Sequence, residues 1–156
     1  MRVVVWAVLA VVGFKLSVVH VQVDGISMMP NWPDKSVHWV NRLAYLRREP
    51  QRGDVVAIRF VPADGTINQL EPPHVMLLKR IIGLPGETVA FVNGQALING
   101  EVLDEPYEKD GCDWNCAPVT LGSDEYYVVG DNRAMPPEYH THGKCERNRI
   151  VGKARL

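Results

Sequence analysis

The hydrophobic pattern of this chain changes character once. Residues 3–14, VVVWAVLAVVGF, are an unbroken run of apolar or small side chains. Lys15 interrupts it, and from residue 16 the apolar residues come in short bursts, several of them alternating with polar ones. Alternation over four to eight residues is the mark of a strand with one buried face. Bursts of this kind predict strands over 18–24, 36–41, 54–61, 74–82, 87–92, 95–98, 101–103, 126–129 and 149–154. Between them stand turn formers. Asn93-Gly94 and Asn99-Gly100 are hairpin signals, because a tight hairpin turn needs positive φ at both central residues. Leu84-Pro-Gly86 reads as a turn, 62–73 as a polar loop, 105–118 as irregular and 130–143 as a long loop. The expected fold class is mainly β.

The apolar run at the start supports three readings. As a helix it would extend about 18 Å, against a hydrocarbon layer of roughly 30 Å. It suits a cleaved leader, although no small-residue cleavage site follows it. It suits a pair of core strands, since valine favours strands. It also suits a short membrane anchor over residues 1–16, with Lys15 reaching back to the interface. The anchor is the preferred reading, and Arg2 and the amino terminus favour an N-inside orientation. Residues 17–156 then form one β-domain, with an insertion or cap at about 84–124.

Composition narrows the function classes. Seventeen basic and eighteen acidic residues leave a formal charge of −1, and no basic stripe offers a nucleic-acid surface. Thirteen glycines and eleven prolines fall mostly between the apolar bursts, which favours many short strands over helices.

One strand holds a residue that its neighbours do not explain. In HVMLLKRIIGLPGE, residues 74–87, Lys79 stands in the middle of an apolar run. Alternation sets Leu77, Lys79 and Ile81 on one face and Leu78, Arg80 and Ile82 on the other. Taken alone, Lys79 reads as an edge lysine that discourages aggregation. A second reading appears beside Ser27, in Gly25-Ile-Ser-Met-Met-Pro30. A serine hydroxyl is a weak nucleophile and needs a base. A lysine desolvated among Leu77 and Ile81 loses its proton more readily and can be that base. Such a pair requires neither histidine nor metal.

These segments resemble the type I signal peptidases, the membrane-anchored Ser/Lys endopeptidases that include the mitochondrial inner-membrane peptidases. Gly25-Ile-Ser-Met-Met-Pro30 resembles the S-M-x-P box, and Lys79-Arg-Ile-Ile-Gly-Leu-Pro-Gly86 the K-R-[IV]-I-G-L-P-G box. Arg52-Gly-Asp-Val-Val56, Asn99-Gly-Glu-Val-Leu-Asp-Glu-Pro-Tyr107, Val129-Gly-Asp-Asn-Arg133 and Ile150-Val-Gly-Lys153 are similar to the family's other segments, in order. The resemblance runs from about residue 18 to the C-terminus. It implies a signal-peptidase-like catalytic β-domain behind a short N-terminal membrane helix, with no cofactor. It implies that Ser27 is the nucleophile, Lys79 the general base, and the Ser27 backbone N–H part of an oxyanion hole.

By the same resemblance the partners are a lipid membrane and exported preproteins. A preprotein would be held as an extended peptide along a wall that includes Ile26, Leu77 and Leu78. The domain would lie on the extracytoplasmic side, of a bacterial plasma membrane by preference or of a mitochondrial inner membrane. Two alternatives stand beside removal of signal peptides: a dedicated maturation peptidase of the conjugation-pilin type, and a non-catalytic peptide-binding homologue.

The chain also departs from the family pattern, which continues G-D-N-R-x-x-S-x-D-S-R-x-x-G. Residues 130–143 keep that length with other contents. Pro136 stands at the serine that often bonds the catalytic lysine, Glu138 at an aspartate and His140 at an arginine. Gly25 stands where some relatives carry a second oxyanion donor. Gly25, Asp131, Arg133 and Glu138 are the expected supports of the site, with Arg133 and Glu138 as a charge pair. His140, His142 and Cys145 match no common zinc spacing, and no metal is expected. Cys112 and Cys116 are close enough in sequence for a local disulfide outside the cytoplasm.

Overall fold

The computed structural model describes Trp6 and residues 17–23, 25–59, 76–108 and 111–155. Eleven strands run through these residues: β1 (Val18–Gln22), β2 (Val37–Asn41), β3 (Val55–Arg59), β4 (Met76–Gly83), β5 (Thr88–Val92), β6 (Gln95–Ile98), β7 (Glu101–Val102), β8 (Cys116–Thr120), β9 (Glu125–Val129), β10 (Gly143–Glu146) and β11 (Ile150–Arg155). Seven form one antiparallel sheet in the order β1-β2-β11-β3-β4-β9-β10, and four form a second in the order β7-β6-β5-β8. The mainly β expectation is met.

Local chemistry explains much of this. β3 reads VVAIR and is buried at its first four positions, as expected of a strand between two partners, β11 and β4. Both Asn-Gly pairs form their hairpins, with φ of +46° and +82° at Asn93 and Gly94, and +52° and +87° at Asn99 and Gly100. Two strands escaped the sequence pattern. β8 contains Pro118 and sits at a sheet edge, where a missing N–H is tolerated. β10 reads GKCE and buries only Cys145, so it shows almost no apolar alternation.

Three apolar clusters fill the interior. Val21, Met28, Trp32, Val40, Val55 and Leu78 pack on one face of the large sheet. Tyr45, Val56, Ile58, Ile81, Tyr126 and Val128 pack on the other. Ile82, Phe91, Trp114, Tyr127 and Val129 join the two sheets. β4 contributes to all three, which makes it the spine of the molecule. The anchor expected at 1–16 lies outside the described residues except for Trp6, as do the loop at 62–73 and parts of the strands beside it. Among the described residues no helix is long and apolar enough to cross a membrane.

Candidate active site

Ser27 lies in a turn between β1 and β2. Gly25 opens the turn with φ +108°, a conformation that a side chain disfavours, so glycine at this position has a backbone reason. The Gly25 N–H donates to Asp34 Oδ1 at 2.8 Å. The Met29 N–H donates to the Ile26 carbonyl and the Trp32 N–H to the Met28 carbonyl, closing the turn over buried Met28.

The turn is tied to the segment after β9. Asn132 donates its backbone N–H to the Ser27 carbonyl at 3.0 Å and its side-chain amide to the Ile26 carbonyl at 3.0 Å. Asn31 bridges further, donating to Asp131 Oδ2 at 2.9 Å and to the Tyr107 carbonyl at 2.8 Å. Neither asparagine was singled out in the sequence. Asn132 lies within a segment marked for its neighbours, and Asn31 directly follows another.

Lys79 reaches this turn from the middle of β4. Its side chain is 2% exposed, and Nζ donates to Ser27 Oγ at 2.8 Å. Burial pushes the Lys79 pKa down to about 8, with nearby Asp131 pulling weakly the other way. A buried ammonium is penalised because the interior solvates it poorly. The site therefore brings a half-buried hydroxyl and an amine that gives up its proton near neutrality into hydrogen-bond contact.

Arg80 faces away from Lys79 and has the opposite environment. Nε and Nη2 bond both carboxylate oxygens of Asp131 at 2.7 and 2.6 Å, and Nη1 donates to the Gly53 carbonyl at 2.8 Å. The guanidinium also lies over the Tyr107 ring, 4.0 Å from its centroid. A forked cation matched to a carboxylate is the strong form of ion pair.

Arg133 corrects one expectation. Its partner is Glu105, which it bonds at 2.5 and 3.1 Å, and its Nε donates to the Gly130 carbonyl. Glu138, the expected partner, is exposed in a short 3-10 turn, Pro137–Tyr139. The reason is burial. Arg133 is 1% exposed and packs against Phe91 and Trp114. Among the described residues the carboxylate that reaches it there is Glu105, from the segment that follows β7. The Trp114 ring N–H also donates to the Met135 carbonyl, fastening the same loop.

A recess opens beside Ser27, lined by Val23, Met28, Met76, Leu77 and Leu78. Leu77 and Leu78 thus share a recess with Ser27. Ile26 is exposed and does not line the recess. β9 pairs with β4 from Arg80 onward, so on that side the Met76–Leu78 backbone has no strand partner among the described residues. Cys112 and Cys116 do not form the expected disulfide. Both thiols are free, and Cys112 donates to the Gly94 carbonyl instead. Among the described residues no cluster of His, Cys, Asp and Glu is arranged to hold a metal.

Compared with known proteins, residues 1–156 match the family described as signal peptidase, peptidase S26. The chain is 34% identical over 128 residues to a signal peptidase I of Leptolyngbya laminosa, covering 82% of this chain and 62% of that protein. It is 31% identical over 154 residues to a probable signal peptidase I-2 of Synechocystis sp., covering 98% of this chain and 69% of the other. A crystal structure of a signal peptidase I from Enterococcus faecalis V583 matches with a TM-score of 0.50 at 25% identity, over 68% of this chain and 97% of that one. The chain therefore spans less than two thirds of the Leptolyngbya protein and slightly more than two thirds of the Synechocystis one.

Proposed function

The chain belongs to the signal peptidase family, peptidase S26, and from that premise we propose that it is a serine endopeptidase that removes signal peptides from exported preproteins with a Ser27/Lys79 dyad. The observation that carries the reading is the 2.8 Å contact between Lys79 Nζ and Ser27 Oγ. It occurs in a site dry enough to bring the lysine pKa down to about 8.

Neutral Nζ takes the proton from Oγ as Oγ attacks the scissile carbonyl. The tetrahedral oxyanion is held by the Ser27 N–H. Nζ then returns the proton to the leaving amine, and the signal peptide stays esterified to Ser27. In the second half Nζ takes a proton from water as it attacks the ester, then passes that proton to the departing Oγ, which restores the Ser27 hydroxyl and the neutral amine. Every step uses this chain's own groups, so the mechanism calls for no cofactor.

The geometry also supports an extended substrate. The unpartnered Met76–Leu78 backbone can add a strand, and the recess beside Leu77 and Leu78 admits only small side chains next to the cut. A membrane anchor over residues 1–16 would hold this domain against the lipid surface from which preproteins emerge, on the extracytoplasmic side.

The test compares wild type, Ser27→Ala and Lys79→Ala on a preprotein in detergent. Each variant is expected to lose about 10³-fold or more in kcat, with its thermal unfolding still cooperative. Equal processing by all three would sink the dyad, and a wild type that binds preprotein without cutting it would favour a peptide-binding role.

A further inference from the structure

Outside the dyad, one buried titratable side chain near the nucleophile has no stated role. His140 is 4% exposed, and neither ring nitrogen has a hydrogen-bond partner among the described residues. A neutral imidazole carries one donor and one acceptor, and leaving both unmet in the interior is costly. Native structures keep such groups where an ordered water or a working partner meets them.

Its position says what that partner is. The β4–β9 ladder pairs Arg80 with Val129, and one residue further along the two strands stand Lys79 and Gly130. A side chain at Gly130 has no room. Its first carbon would lie 2.1 Å from the Ser27 carbonyl oxygen and 2.5 and 2.7 Å from Cε1 and Nε2 of His140. The imidazole edge therefore fills the space that glycine leaves, against the main chain of the nucleophile and beside the base. Trp114 closes the far side at 5.1 Å between ring centroids. His142 stands 6.2 Å away, with its own Nδ1 engaged by the Tyr127 hydroxyl.

Lys79 needs such a neighbour. Its amine makes one hydrogen bond among the described residues, to Ser27 Oγ. A rotor with several protons and one contact is poorly oriented, and residue 136 is a proline with no donor or acceptor on its side chain.

We propose that His140 is a positioning residue for the general base: one ring nitrogen holds a water that links it to Lys79 Nζ and to the Ser27 carbonyl. Three polar partners are what a buried water typically has. The link turns the Lys79 lone pair toward Ser27 Oγ. The ring itself stays uncharged, because burial and the charges of Lys79, His142 and Arg133 push its pKa down to about 3. It thus remains an acceptor throughout the range in which Lys79 titrates. This inference rests on the Ser27/Lys79 reading for its catalytic meaning but not for its detection.

The decisive experiment is NMR on the full-length protein in detergent, with 15N-histidine and 13Cε-lysine labels and no substrate. The His140 acceptor nitrogen is expected to shift with the Lys79 midpoint while the ring remains neutral. A nitrogen signal that stays flat across the Lys79 titration overturns the proposal. Two variants add function. His140→Phe keeps the ring and removes the nitrogens. It should lower kcat by roughly 10–100-fold with little change in KM and move the Lys79 midpoint down, since the ammonium loses an acceptor. His140→Gln restores an acceptor and should recover most of both losses. Wild-type kcat and midpoint in His140→Phe, or equal defects in the two variants, overturn the proposal. A wild type that cleaves nothing defeats the peptidase reading, and the NMR coupling still decides the role of His140.

Discussion

Lys79 and Arg80 are consecutive residues of one strand, both cationic by type, and the two sides of β4 treat them in opposite ways. On the Lys79 side no carboxylate among the described residues makes contact, and the amine is paired with a hydroxyl. On the Arg80 side a fully buried carboxylate meets the guanidinium on both oxygens, and an aromatic ring lies beneath it. Burial alone makes a cation expensive, and a matched carboxylate offsets that expense. One side therefore keeps its charge as part of the structure. The other holds a charge that it is ready to lose. The first is a fastening between the strand and the loop after β9, and the second is suited to the base proposed above.

The largest expected effect comes from making the two residues alike. Lys79→Arg places a group that stays protonated where a base is needed. Cleavage should fall by about 10³-fold or more at any pH. In the wild type kcat should rise with pH as Lys79 deprotonates, with a midpoint near 8, and level off above it. A flat profile from neutral to alkaline pH would remove Lys79 from the proton transfer.

Next in size is the effect on stability, where the two sites should differ in sign. Arg80→Met strands Asp131 in the interior and should cost about 3–5 kcal/mol in urea unfolding. Lys79→Met should stabilise the protein at neutral pH. The folded-state pKa lies below the unfolded value of 10.5. The unfolded state thus binds the proton more tightly, and protonation favours unfolding. Below about pH 8 that penalty is fully present, about 3 kcal/mol, less about 1 kcal/mol for the lost bond to Ser27. It fades as pH rises from about 8 to 10.5, so the advantage of Lys79→Met over wild type should shrink across that window. A constant advantage would mean that Lys79 is not buried as a titrating group.

The smallest effect sharpens the Arg80 side. Tyr107→Leu removes the ring under the guanidinium and leaves the carboxylate in place. It should cost about 1 kcal/mol, well short of Arg80→Met. A cost equal to that of Arg80→Met would make the ring, not Asp131, the main support.

The sequence and the structure agree most closely where the signal is local. Alternation and Asn-Gly turns marked the central strands and both hairpins, because backbone geometry at those positions depends on the residues themselves. β8 and β10 were not legible, since one carries a proline at an edge and the other has a single buried side chain. Ser27 and Lys79 stood out because a hydroxyl and a misplaced lysine suggest each other chemically. Glu138 was the nearer choice for Arg133 in sequence, yet Glu105 reaches it, 28 residues back and from the segment after β7. Asn132 and His140 carry no local mark of what they do, because their roles consist of contacts with Ile26, Ser27 and Gly130.

By itself, then, the order of residues determined a β-rich chain, its turns and the candidate pair Ser27 and Lys79, since period, turn conformation and side-chain chemistry are properties of short segments. Tertiary structure alone decided that Lys79 can give up its proton near pH 8, whereas an arginine keeps its own in any setting. A pKa follows from the solvent and charges around a group. For Lys79 the cause is burial, in an interior that the turn carrying Ser27 helps to close from 52 residues away along the chain.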